Sequence, residues 1–232
     1  MSHFNVAVFT TDDSLSVDEL LEPYYEGHTR APYIKYTRQE AIDYVRKNYH
    51  QFADKSDQEC WEYMAEGYIK DKKGNLYSTA NEDARWDWWV EGGRWENTLK
   101  LKNGERANSA RIGDIDFSPD QEVYEKALRF WNIVVEHKPL EDGEEKPFSI
   151  YKEQYYRDFY KSREDYAKRQ AGFSTYAVVT SDGIWCECGS VGWCGMSDET
   201  PEEAEDWYSN YLERFIIGED EDTRITIVDC HI

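Results

Sequence analysis

Four of the nine tryptophans fall within ten positions, in the run Arg85, Trp86, Asp87, Trp88, Trp89, Val90, Glu91, Gly92, Gly93, Arg94 and Trp95. An indole is a large apolar surface with one N–H that needs an acceptor when buried, so four together require a core to fill or a ligand to hold. Gly92 and Gly93 open left-handed backbone conformations and permit close approach. The run reads as a rigid aromatic corner around which the remaining segments are organised.

A chain of 232 residues is long enough to bury a sizeable core. Its aromatic fraction of 16% argues against bulk disorder, and a mean hydropathy of −0.88 with 32% charged residues describes a polar surface around an aromatic interior. Forty-eight acidic against 27 basic residues leave a formal charge of −21, which repels phosphate backbones and excludes general nucleic-acid binding. No apolar run approaches the roughly 18 residues of a membrane span, and Met1 to Thr10 has neither a basic region nor a cleavage site, so a cytoplasmic protein is expected. Five cysteines, an odd number in a chain of this size, fit a reducing compartment.

Phe4, Val6 and Val8 alternate with smaller or polar residues and predict an opening strand. Ser16 with Glu19, Thr37 with Glu40 and Ser56 with Glu59 have capping-box spacing and predict three helices, the third closed by Lys72, Lys73 and Gly74. Asn103 and Gly104 predict a two-residue hairpin turn between Thr98–Lys102 and Glu105–Ala110. Ser118 as cap and Pro119 at the first helical position start a long helix, and a weakly amphipathic one runs from about Phe148 to Gln170. Asp182 and Gly183 mark a second hairpin, Tyr176–Thr180 with Ile184–Cys188. Thr200, Pro201 and Glu203 open a helix of nearly ideal periodicity, and Arg224 to Ile232 is a β-branched strand.

This order gives an α+β protein with a ferredoxin-like β-α-β-β-α-β sheet built from 1–54 and 173–232. Residues 55–172 are then a mostly helical insertion with its own hairpin, packed as one unit with the core. The first and last strands are expected to be antiparallel neighbours.

The segments Met1, Ser2, His3, Phe4; Trp86, Asp87, Trp88 with Gly92, Gly93, Arg94, Trp95; Leu128, Arg129, Phe130, Trp131; and Val228, Asp229, Cys230, His231, Ile232 resemble a family of uncharacterised proteins carried by bacteriophages, prophages and other mobile elements. The resemblance spans the chain and implies a phage-derived protein in the cytoplasm of a bacterial host; it assigns no activity to any residue. The tryptophan corner is also similar to a Trp and Gly motif of plasmid-borne ferredoxin-like proteins.

Strand alternation sets the expected site. Phe4, Val6 and Val8 share one face with Val228, Cys230 and Ile232, beneath the helices. His3 and Asn5 meet Asp229 and His231 on the other, joined there by Tyr176, Trp185 and Glu187. Two histidines with carboxylates suit acid and base work, with His3, Asp229 and His231 as the candidate catalytic residues. The corner residues Arg85, Trp86, Asp87, Trp88, Gly92, Gly93, Arg94 and Trp95, with Arg111, form a candidate site for a small anionic ligand such as a nucleotide, stacked on Trp and clamped by Arg. Gly189, Gly192 and Gly195 add a conceivable phosphate cradle. Cys186, Cys188, Cys194 and Cys230 lack zinc-knuckle spacing and are expected to be small buried hydrophobes, so neither metal nor cofactor is expected.

Three functions follow as expectations. The first is an acidic accessory protein that docks on and inhibits a basic host protein, one of defence or nucleic-acid handling. The second is a binding protein for a small anionic or nucleotide-like ligand. The third is a metal-dependent or acid and base hydrolase.

Overall fold

A computed structural model describes residues 2–190 and 197–232, so Gly192, Cys194 and Gly195 lie outside the described residues. The chain forms two compact units, 1–22 with 86–232, and 23–85. These boundaries differ from those expected, because the tryptophan corner and the helices after it cluster with the main sheet.

Strand β1 (His3–Thr10) and helix α1 (Val17–Leu21), capped by Ser16 and Glu19, open the larger unit. The smaller unit holds β2 (Thr29–Tyr36), α2 (Arg38–Asn48), α3 (Asp57–Ala65), β3 (Ile69–Lys70) and β4 (Leu76–Ala80), with a sheet in the order β2-β4-β3. Both of its helices start at the expected capping boxes. Its strands were not legible: Lys72, Lys73 and Gly74 close no helix but turn the β3–β4 hairpin, with Gly74 at φ +83°.

The larger unit resumes with β5 (Trp88–Glu91), then β6 (Leu99–Lys100), β7 (Arg106–Ala107), β8 (Ser109–Arg111) and α4 (Gln121–Val134). Asn103–Gly104 does make the expected hairpin, but by a longer turn: Gly104 N–H donates to Leu101 O (2.9 Å) and only Gly104, at φ +87°, is left-handed. Thr180 to Gly183 repeats the device, with Gly183 N–H on Thr180 O (2.9 Å) and φ +85°. Asp120, not Ser118, caps α4, accepting from Glu122 and Val123 N–H. The expected helix 148–170 is two, α5 (Glu153–Phe159) and α6 (Arg163–Ala171), because Ser162 caps a new start by accepting from Asp165 N–H. β9 (Ala177–Val179), β10 (Trp185–Glu187), α7 (Pro201–Phe215) and β11 (Arg224–His231) complete the unit. No helix among the described residues is long and apolar enough to cross a membrane.

The class is α+β, and β1 and β11 are antiparallel neighbours from His3↔His231 to Thr10↔Arg224. The main sheet runs β10-β9-β1-β11-β5, with β8 also on β11. The parallel neighbour of β1 is therefore the first strand of the 177–187 hairpin, whereas a ferredoxin-like sheet places the second there. Both faces of β1 are buried, so the sheet is a middle layer. Helix α7 packs Trp207, Tyr211 and Phe215 over Ala7, Phe9, Ile225 and Ile227, the face expected to carry the polar site, with the helices expected instead over Phe4, Val6 and Val8. Alanine at position 7 carries no mark of a polar face, and this side of the sheet is polar only at the end that holds His3, Asn5, Asp229 and His231.

Thr200 accepts from Glu203 N–H (3.2 Å) and Glu203 Oε2 accepts in return from Thr200 N–H (2.8 Å), satisfying two orphan donors at the start of α7. Thr200→Ala is expected to cost about 1 kcal/mol of unfolding free energy, read from urea denaturation with an unchanged slope.

Candidate functional site

Register brings the three candidate catalytic residues together. His3 Nδ1–H donates to Asp229 Oδ1 at 2.8 Å, and His231 Nδ1–H donates to Asp87 Oδ1 at 2.6 Å. The imidazoles meet edge to face at 5.1 Å, and Trp88, register partner of His231 in the β5–β11 pairing, stacks on it at 5.1 Å and 12°. Asp229 is only 2% exposed, and a buried carboxylate demands several donors. It takes the second from Arg94 N–H at 3.0 Å.

That bond explains the glycines. After β5 the chain turns through Gly92 (φ +70°) and Gly93 (φ +54°) into a 3-10 turn, Gly93–Trp95, laid over Asp229. A Cβ on Gly93 would sit 2.5 Å from the Asp229 side chain, so glycine is needed both for the backbone and for the approach. Gly92 N–H and Ile227 N–H close the gap between β5 and β8 by bonding Ile227 O and Asn108 O, each at 2.8 Å.

The remaining corner residues divide. Trp86 is a buried core residue whose indole N–H reaches Leu21 O (3.2 Å). Arg85 belongs to the 23–85 unit, where its N–H bonds Tyr24 O (2.8 Å). Arg111 pairs with Asp222 at the opposite end of β11 from His231, and the Arg94 guanidinium is exposed with no ion pair among the described residues. Within the larger unit, Arg94 and Arg111 thus do not share one ion-pair cluster.

The hairpin residues also divide. Trp185 pairs with Val179 and Glu187 with Ala177, which puts both on the face opposite Val178, while Tyr176 packs with the α7 core. Trp185 bonds Glu187 through its indole N–H (2.8 Å) and meets Phe4 edge-on. Cys188 packs under α7, whereas Cys230 pairs with Phe4 on the other face, so the described cysteines do not converge. Burial pushes the Cys188 thiol up to about 12 and that of Cys230 higher. Gly189 is no phosphate cradle: a Cβ there would lie 2.9 Å from Glu199 Cβ, and a carboxylate-bearing residue occupies the space.

His231 is 6% exposed and its Nε2 is buried with no hydrogen-bond partner among the described residues. Both imidazoles are committed through Nδ1 to a carboxylate, the arrangement that orients a catalytic histidine, and His231 itself is buried while its Asp87 partner remains partly exposed. An open space lies next along the same sheet face. A cavity of about 500 Å³ has Asn5 and Ile227 in its lining, and Trp95 and Tyr176 alone of the expected ligand-binding residues reach it. Its size suits a small ligand.

Three cationic side chains line it. Lys100 pairs with Asp116 (2.9 Å) and Arg106 with Asp120 (2.7 Å). Ser118 and Lys100 together hold the Asp116 carboxyl down at about 2. Arg169 differs, because its side chain is 6% exposed and stacks on Tyr160 at 5.1 Å. Its Nε and Nη2 donate to Asp165 (3.2 and 2.9 Å), and Nη1 is buried without a partner among the described residues. Tyr155 and Tyr208 add phenols that burial pushes up to about 12, so they stay neutral. Arg169, Glu199 and these tyrosines were not found from the sequence; only the i, i+4 spacing of Asp165 and Arg169 on one helix hinted at a fixed guanidinium.

Comparison with protein-family models, curated proteins and solved structures gives no match to the chain.

Gly93→Ala adds strain at φ +54° to a clash with Asp229 and is expected to cost about 2–4 kcal/mol. Gly104→Ala, with no atom within 4 Å of the added Cβ, isolates the backbone part at about 1 kcal/mol. Thermal unfolding of the two variants separates the contributions.

Proposed function

We propose that this protein binds a small polar molecule in the cavity over Asn5 and Ile227. The observation that carries the reading is Arg169: a buried guanidinium in the cavity wall, fixed along one edge by Asp165 and on its face by Tyr160, and left with its Nη1 nitrogen unspent. An unpaired buried donor costs about 1–3 kcal/mol, which a ligand acceptor relieves. The seven aromatic side chains of the lining supply apolar area around it. The alternative of an acid and base hydrolase is less favoured, because His3 and His231 are held by Asp229 and Asp87, and the Nε2 of His231, without a partner among the described residues, is buried.

A thermal-shift panel of nucleotides, amino acids, amines and carboxylic acids tests this, repeated on Ser174→Trp, which adds an indole to the lining. At a concentration about 100-fold above Kd, a bound compound raises Tm by about 5 °C or more. That shift disappears in a folded Ser174→Trp. No shift with any compound, or one that survives in the variant, overturns the reading.

A second reading concerns the surface. The formal charge of −21 leaves many carboxylates without a cationic partner, and their field steers a basic partner toward the chain. With the resemblance to phage and mobile-element proteins, this supports docking on a basic host protein. Affinity capture from a bacterial lysate at about 50 mM salt is expected to retain such a protein and to release it at about 300 mM, as screening predicts. Failure to retain any basic protein at low salt counts against docking.

A further inference from the structure

The cavity wall carries a second unspent group, and its charge is opposite to the first. Glu199 lies in the lining, and its Oε2 is buried with no hydrogen-bond partner among the described residues. It is held there from behind. Ser190 N–H donates to Asp198 Oδ1 (2.6 Å), Asp198 N–H returns to Ser190 O (3.2 Å), and Gly189 leaves room for the Glu199 backbone.

Arg169 and Glu199 belong to the same part of the cavity. The Tyr208 phenol feels both charges, Glu199 raising it and Arg169 lowering it, and Glu199 acts as well on Tyr155 and Tyr176. Yet the two side chains form neither a hydrogen bond nor an ion pair, for each keeps a bare polar atom. Arg169 Nη1 and Glu199 Oε2 are both buried in the wall of one cavity, and a buried polar atom left without a hydrogen bond is costly. A ligand that offers an acceptor to one and a donor to the other removes both costs at once. The charge balance adds a sign: Arg169 is already neutralised by Asp165, whereas Glu199 has no cationic partner among the described residues, so the space beside it calls for a positive group. Tyr155, Tyr176 and Tyr208 stand in the lining with Glu199, and aromatic faces beside a carboxylate favour an ammonium.

We infer that the cavity takes a zwitterion, an α-amino acid with an aromatic side chain or a molecule of that pattern, its ammonium against Glu199 among the tyrosines and its carboxylate against Arg169. The ring packs on the aromatic wall that includes Phe159, Tyr160 and Phe173. The inference rests on the proposed reading of the cavity as a ligand site and goes further by fixing the ligand's charges.

Three probes with one ring and different charges test it by calorimetry: L-phenylalanine, phenethylamine and 3-phenylpropanoate. Phenylalanine is expected to bind tighter than either of the others by about tenfold or more, since each loses one charge-assisted contact. Glu199→Gln gives up no hydrogen bond among the described residues. It is expected to weaken phenylalanine and phenethylamine by about tenfold and to leave 3-phenylpropanoate within about twofold. Equal or tighter binding of 3-phenylpropanoate, or indifference of phenylalanine to Glu199→Gln, overturns the zwitterion and leaves a ligand-binding cavity standing. Failure of all three probes at millimolar concentration also overturns it, and the broader panel with Ser174→Trp then decides separately whether the cavity binds anything.

Discussion

Pairing of β1 with β11 is the constraint on which the larger unit depends. Eight register pairs join segments at opposite ends of the sequence, and closing so long a loop is repaid only by extensive burial. Here Val6, Ala7 and Val8 meet Val228, Ile227 and Thr226, all buried. The other strands of this sheet build outward from the pair: β9 along the free edge of β1 with β10 beyond it, and β5 and β8 in succession along the free edge of β11.

The same register brings a problem with it, since Asp229 enters the sheet as a carboxylate without water. A buried charge is tolerated only when its lone pairs are used. His3 supplies one donor from the neighbouring strand, and the other must come from a backbone that can approach closely. The double glycine of the tryptophan corner supplies that backbone. The corner's form thus follows from a demand set elsewhere in the chain, and Trp88, aligned with His231, stacks on the second imidazole as a result.

This division explains what was legible in the sequence. Capping boxes at Thr37, Ser56 and Thr200 are local chemistry and marked their helices accurately, as alternation marked β1 and β11. The meeting of His3, Asp229 and His231 was legible too, because antiparallel pairing of the two strands was the one non-local assumption needed. The strand order was not, since nothing local says which strand of the 177–187 hairpin docks on β1. The placement of Trp185 and Glu187 was recoverable from the turn: a hairpin that pairs 179 with 185 pairs 176 with 188, so Tyr176 falls on the opposite face from both. The cavity had no local signature at all. Arg169 comes from α6, Glu199 from the approach to α7, Tyr155 from α5 and Asn5 from β1, and only packing brings them together.

The charge of the whole chain and the charge of the cavity bear on each other. A surface with a formal charge of −21 sets up a potential that attracts cations and repels anions, although screening confines it to about 8 Å at physiological salt. Two of the three cations in the cavity lining are neutralised by Asp116 and Asp120, and the third by Asp165, so little local charge remains to pull a free anion against that field. A nucleotide would have to carry several negative charges into this space. A zwitterion carries none net, enters without repulsion by that field, and is sorted at short range by Glu199 and Arg169, where the dielectric is low and hydrogen-bond geometry decides the outcome.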